Sequence, residues 1–234
     1  MDILSKYFDA LAAPNSKGKV KEKAKSKPVI TLLLLLLAAG ATYIPGAFEL
    51  TLFDHSAIRQ GEWWRLVTGH FTHTGSSHLM WDLLAAALAT GYLEIHSRRL
   101  AIAAVVCGIF AVDILLLSSL SSLKFYCGLS GLLFAPLTLT VIIFGLKNGG
   151  LSGWLPALIC AGKALWELIG SDSFLVNSGW PAYPMAHLAG ICGGLFVLLT
   201  TILYRSSAYI SEMIRFEIAI SVRHTSAHGR PLNL

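Results

Sequence analysis

The chain has 234 residues, of which 55% are hydrophobic and only 13% charged, with a formal net charge of +5 and a mean hydropathy of +0.65. That charged share is about half of what a water-soluble domain carries, so apolar sequence has to face lipid. The basic residues lie in tails and short loops rather than in one patch, which argues against nucleic acid as a partner.

Residues 1–28 hold Lys6, Lys17, Lys19, Lys21, Lys23, Lys25 and Lys27 and read as a flexible basic tail, with no cleavable signal peptide evident. A first span is expected from about Val29 to Phe48, closed by Pro45-Gly46. Residues 49–77 are too polar to span and rich in aromatics, which suits the membrane interface. A second span is expected over His78–Ile95, a third over Leu100–Leu120, a fourth over Leu129–Leu146, a fifth over Leu151–Ile169 and a sixth over Met185–Tyr204. The fifth carries Lys163 and Glu167, four apart, for which mutual neutralisation is the plain account; Asp113 in the third has no account. Ile210, Met213, Ile214 and Ile220 then recur at helical spacing among charges, as in a surface-lying amphipathic helix, and residues 224–234 read as disordered.

Loop charge tests this order. The N-terminal tail, the 2–3 loop (Arg98, Arg99), the 4–5 loop (Lys147) and the C-terminal tail hold most of the cations, so both termini are expected in the cytoplasm. Cys107, Cys127, Cys160 and Cys192 show no CxxC spacing and read as small packing residues.

Polar groups inside a membrane are costly, so each asks for a reason. Gly128-Leu129-Ser130-Gly131 puts a serine between glycines at the start of the fourth span. Small neighbours leave its hydroxyl open, and amides at a helix start can donate to an oxyanion; a packing contact is the simpler reading of this motif alone. His187 falls at the same membrane side and depth, with Gly190 and Gly194 on its own face at i+3 and i+7, so the sixth span can lie close against a neighbour. If that neighbour is the fourth span, His187 can take the Ser130 proton. The run from Gly69 to Asp82 enters from the same side, and His78 and Asp82 share a helical face. His78 could donate to an oxyanion; alternatively Ser76 or Ser77 simply caps a helix, with His70 and His73 interfacial. No HExxH pair or metal-ligand spacing is present, so no metal and no cofactor is expected, and the histidines leave a transporter or metal-handling protein as a rival.

Together these residues resemble the rhomboid family of intramembrane serine proteases over about residues 29–204. Trp63-Trp64-Arg65 looks like the family's tryptophan–arginine motif, Gly91 and Glu94 resemble its glycine and glutamate near the cytoplasmic end of the second span, Gly128–Gly131 matches GxSG, and His187, Gly190 and Gly194 match HxxGxxxG. The resemblance implies an all-α, six-helix membrane bundle in which Ser130 is the nucleophile and His187 the general base, a dyad with no aspartate. It implies His78, the residue at 82 and the Ser130 amide as oxyanion donors, with Gly128 among the residues that shape this site and membrane-anchored proteins as substrates. Two positions depart from the family. Asp82 stands where asparagine is usual, and an ionised carboxylate cannot donate; it is protonated, or it accepts from His78, or the oxyanion hole does without it. Phe134 stands where many members have tyrosine, which should preserve packing on the histidine. The short chain and Trp63-Trp64-Arg65 look like the rhombosortase branch, which processes C-terminal sorting tails, in a bacterial inner membrane. A catalytically inactive relative that binds clients is the alternative.

Overall fold

The computed structural model describes residues 27–170, 180 and 183–228. The basic tail up to residue 26 and most of the expected 5–6 loop lie outside them.

Helix α1 (Val29–Tyr43) ends earlier than the sequence suggests, because Ile44 precedes Pro45 and turns extended while Gly46 takes φ 78°. The chain between Ile44 and Gly75 is folded rather than a loose interfacial strap. It contains α2 (Ala47–Thr51), β1 (Phe53–Asp54), α3 (His55–Arg59), α4 (Arg65–Thr68) and a 3₁₀ turn, Gly69–Phe71. Arg65 ties it together. Its Nη1 donates to the carbonyls of Glu49 (2.8 Å) and Leu52 (2.7 Å), and its Nε to Glu62 Oε2 at 2.6 Å. Trp64 Nε1 donates to the Leu50 carbonyl at 3.0 Å. The Trp64–Arg65 pair thus satisfies backbone carbonyls that a buried loop would otherwise leave unpaired.

Helix α5 (Ser76–His96) follows Gly75, and no serine side chain caps it. At its far end the fully buried Glu94 accepts from the Ile30 and Thr31 amides, both at 2.9 Å, and from Arg98 Nε at 3.2 Å. A carboxylate therefore caps the first turn of α1 and meets its positive dipole end. Helix α6 (Arg98–Leu117) leads to β2 (Phe125–Tyr126), which pairs antiparallel with β1, Phe53 opposite Tyr126. His70 Nε2 lies 3.2 Å from Asp113 Oδ1, both residues buried, so Asp113 is the partner of a histidine in the first connection.

Helix α7 (Ser130–Asn148) is the core of the bundle, packed against α5, α6 and α8 (Gly150–Gly170). Helix α9 begins at Pro184 and runs continuously to His228, through Tyr204 and the stretch 224–228 that reads as disordered in sequence. The chain up to Val197 forms one compact unit and the remainder a second. Side chains beyond Ser207, and with them the expected amphipathic face, lie outside the described residues.

Among the described residues, α6, α7 and Pro184–Tyr204 are long and apolar enough to cross a membrane. Helix α1 is apolar but has 15 residues. Helices α5 and α8 have 21 each and carry ionisable groups. Leucines on α1 (Leu32, Leu33, Leu36) and on α8 (Leu151, Leu155, Leu158) point outward. An apolar outer face with polar groups turned inward is what a lipid solvent selects.

Candidate active site

Ser130 is the first residue of α7. The turn before it needs Gly128, which has φ 115° and lies so close to His78 that a Cβ would sit 2.8 Å from the ring. His187 is in the first turn of α9. Close packing brings the two helices together: a Cβ on Gly190 would run into the Gly131 carbonyl, and one on Gly194 would sit 2.6 Å from the Ala135 carbonyl. The small residues at i+3 and i+7 from the histidine thus face α7, as their spacing suggests. His187 Nε2 is 3.1 Å from Ser130 Oγ, within hydrogen-bond reach. The Phe134 ring stacks on the His187 ring, centroids 4.5 Å apart. A Cβ on Gly131 would meet Tyr126 Oη and Ala186, so this glycine too is a point of close approach.

Behind the histidine is a group the sequence does not connect to it. Glu167 Oε2 lies 3.0 Å from His187 Nδ1, and Lys163 Nζ is 2.6 Å from Glu167 Oε1. The Oε2 approach is an ion-pair distance out of line with the N–H bond, so neither atom is aligned as a hydrogen bond at rest. Apo sites are often loose in this way.

On the other side of Ser130, Asp82 Oδ2 accepts the Ser130 amide at 3.0 Å. The same oxygen is 3.0 Å from His73 Nε2 and 3.5 Å from His78 Nε2. His73 Nδ1 lies 3.0 Å from the Phe71 carbonyl and 3.5 Å from Thr42 Oγ1. His70 and His73 are buried within the protein, at 1% and 2% exposure. His78 is Asp82's more distant partner, and its Nδ1 is buried without one. Donor atoms of His73, His78 and Asp82 lie within 4.8 Å of one another, the set among the described residues that could share a metal ion. Existing hydrogen bonds already satisfy His73 and Asp82 Oδ2 without one.

Of the residues the sequence singles out, Ser130, His187, Phe134, Gly131, Gly190 and Gly194 meet directly, and Gly128, His78 and Asp82 adjoin them. Trp64 and Arg65 do not touch the site; they brace the connection over it. Glu167 and His73 were not read as site residues. The sequence carries part of the signal for Glu167: Gly153, Ala157, Cys160 and Ala164 recur with it at helical spacing, and this stripe is the face that the structure turns inward. A carboxylate on the inward stripe of an otherwise apolar helix needs a partner inside.

A helical bundle with an apolar exterior, spanning helices and ionisable side chains gathered around one serine and one histidine is an integral membrane protein. The family model of the Rhomboid domain matches residues 60–204, more than half of the chain. The chain therefore belongs to the rhomboid family, whose members are generally intramembrane serine proteases acting on membrane proteins within the bilayer. Comparison with curated proteins gives no match.

Proposed function

We propose that this protein is an intramembrane serine endopeptidase that cleaves membrane-anchored proteins with Ser130 and His187. The observation that carries the reading is the 3.1 Å contact between His187 Nε2 and Ser130 Oγ, made by side chains from two helices inside a membrane protein. A substrate helix enters from lipid between the second and fifth spans and unwinds, because a helical peptide bond is shielded. Ser130 Oγ attacks the carbonyl carbon while its proton passes to His187 Nε2. The imidazolium gives that proton to the leaving amine, the C–N bond breaks, and an acyl ester remains on Ser130. Water, deprotonated by His187, hydrolyses the ester and restores the serine. Ser130 is only partly buried, which leaves it open to water and substrate.

The frame proposed is six spans, α1, α5, α6, α7, α8 and the first part of α9, with both termini cytoplasmic in a bacterial inner membrane. Alternation of loop cations supports that orientation. The Trp63-Trp64-Arg65 run supports the finer placement in the rhombosortase branch, with C-terminal sorting tails as substrates. The inactive alternative is favoured by one observation, the Asp82 carboxylate on the Ser130 amide. The experiment is cleavage of a membrane-anchored reporter in vesicles. Wild type yields two fragments and Ser130→Ala none; equal cleavage by the variant, or none by wild type on any reporter that binds, favours the alternative.

A further inference from the structure

We propose that Glu167 is the third member of the catalytic array, a positioning residue that holds the His187 ring from its Nδ1 side and stabilises the imidazolium. This rests on the protease reading above and departs from the Ser130–His187 dyad that the family resemblance implies.

The Lys163–Glu167 pair could be no more than an internally neutral couple in an apolar helix. That account uses only one carboxylate oxygen. Oε1 meets Lys163 at 2.6 Å, while Oε2 points away from the lysine to within 3.0 Å of His187 Nδ1. The two ends also differ in setting: the Lys163 side chain is 36% exposed, the Glu167 side chain 1%. The lysine stands at the rim and the carboxylate is carried inward. Oε2 and Nδ1 are both buried, and each has the other as its near polar neighbour. The imidazole therefore has an acceptor on one edge and the serine hydroxyl on the other, with Phe134 stacked on its face. An Nδ1–H turned to the carboxylate leaves the Nε2 lone pair on Ser130 Oγ, the tautomer a general base requires. When Nε2 takes the serine proton, the new positive charge lies against Glu167. The carboxylate itself keeps its charge throughout, and Lys163 counterbalances it while the histidine is neutral.

The test is saturation kinetics of an alkyl fluorophosphonate on the full-length protein in detergent or vesicles, corrected for folded protein by thermal melting. Glu167→Gln keeps the size and removes the charge. The maximal acylation rate is expected to fall by about 10²-fold or more, with half-saturating inhibitor concentration unchanged. Glu167→Asp keeps the charge at a longer reach and is expected to fall between Gln and wild type. A rate per folded molecule equal to wild type in Glu167→Gln, or a loss confined to melting temperature or to inhibitor binding, overturns the proposal and leaves Glu167 a structural pin. If Glu167→Gln does not fold, Glu167→Asp decides, and a wild-type rate there overturns it. Ser130→Ala run alongside separates the two readings: adduct persisting in that variant defeats the protease reading itself, whatever Glu167 does.

Discussion

The Ser130 amide donates to Asp82 Oδ2 at 3.0 Å, so a carboxylate stands on the backbone donor of the proposed nucleophile. In an acyl transfer that amide is wanted by the developing oxyanion. Asp82 competes for the amide rather than adding a donor, and His73 supplies its closest side-chain partner.

Asp82→Asn is accordingly expected to raise activity. The amide replaces an acceptor-only group with one that donates, and removes a charge from the oxyanion's neighbourhood. Reporter cleavage by Asp82→Asn should rise by up to about 10-fold. A fall below wild type would show that the carboxylate is needed to orient His73 and His78.

Gly190→Ala brings a methyl into the Gly131 carbonyl, where backbone rather than a flexible side chain has to give way. The cost is about 1–3 kcal/mol, and helix separation withdraws His187 from Ser130. Cleavage is expected to drop by about 10²-fold, more than thermal stability accounts for. Normal cleavage would mean the two helices do not pack as described.

Arg65→Ala strips the Glu49 and Leu52 carbonyls of their donor in a partly buried site. Unfolding free energy should fall by about 2–4 kcal/mol, read by thermal melting in detergent. Arg65→Lys should recover only part, since one ammonium cannot reproduce the fork.

Cys127 lies in the loop before Gly128. Burial, with Asp82 adding to it, pushes its thiol up to about 12 from 9.0. The thiolate is then scarcer at neutral pH, and although a more basic thiolate is the better nucleophile, maleimide labelling of Cys127 should run about 10-fold or more slower than for an unperturbed thiol. Denaturation in SDS should abolish the difference. Fast labelling in the native protein would place Cys127 at the surface.

Much of this arrangement was legible in the chain because its cues are local. The spacing of His187, Gly190 and Gly194 marks one face of one helix, and Gly128-Leu129-Ser130-Gly131 marks a helix start. Their meeting needed only that two small-residue faces oppose each other. What escaped depends on rotation and long-range pairing. Nothing in sequence spacing says that Asp113 on α6 pairs with His70, or that Asp82 pairs with His73 more closely than with His78. The pairing of Lys163 with Glu167 at i+4 is itself a satisfied motif, which hides the second carboxylate oxygen. The end of α1 is set by Ile44 before Pro45, which turns extended although the apolar run continues past it.

The central claim is that Ser130 is a nucleophile activated by His187. Fluorophosphonate labelling of the protein in its membranes, with the modified peptide mapped by mass spectrometry, tests it most directly. The adduct is expected on Ser130 in wild type and absent from both Ser130→Ala and His187→Ala. An adduct on another residue, or labelling undiminished in Ser130→Ala, would contradict it.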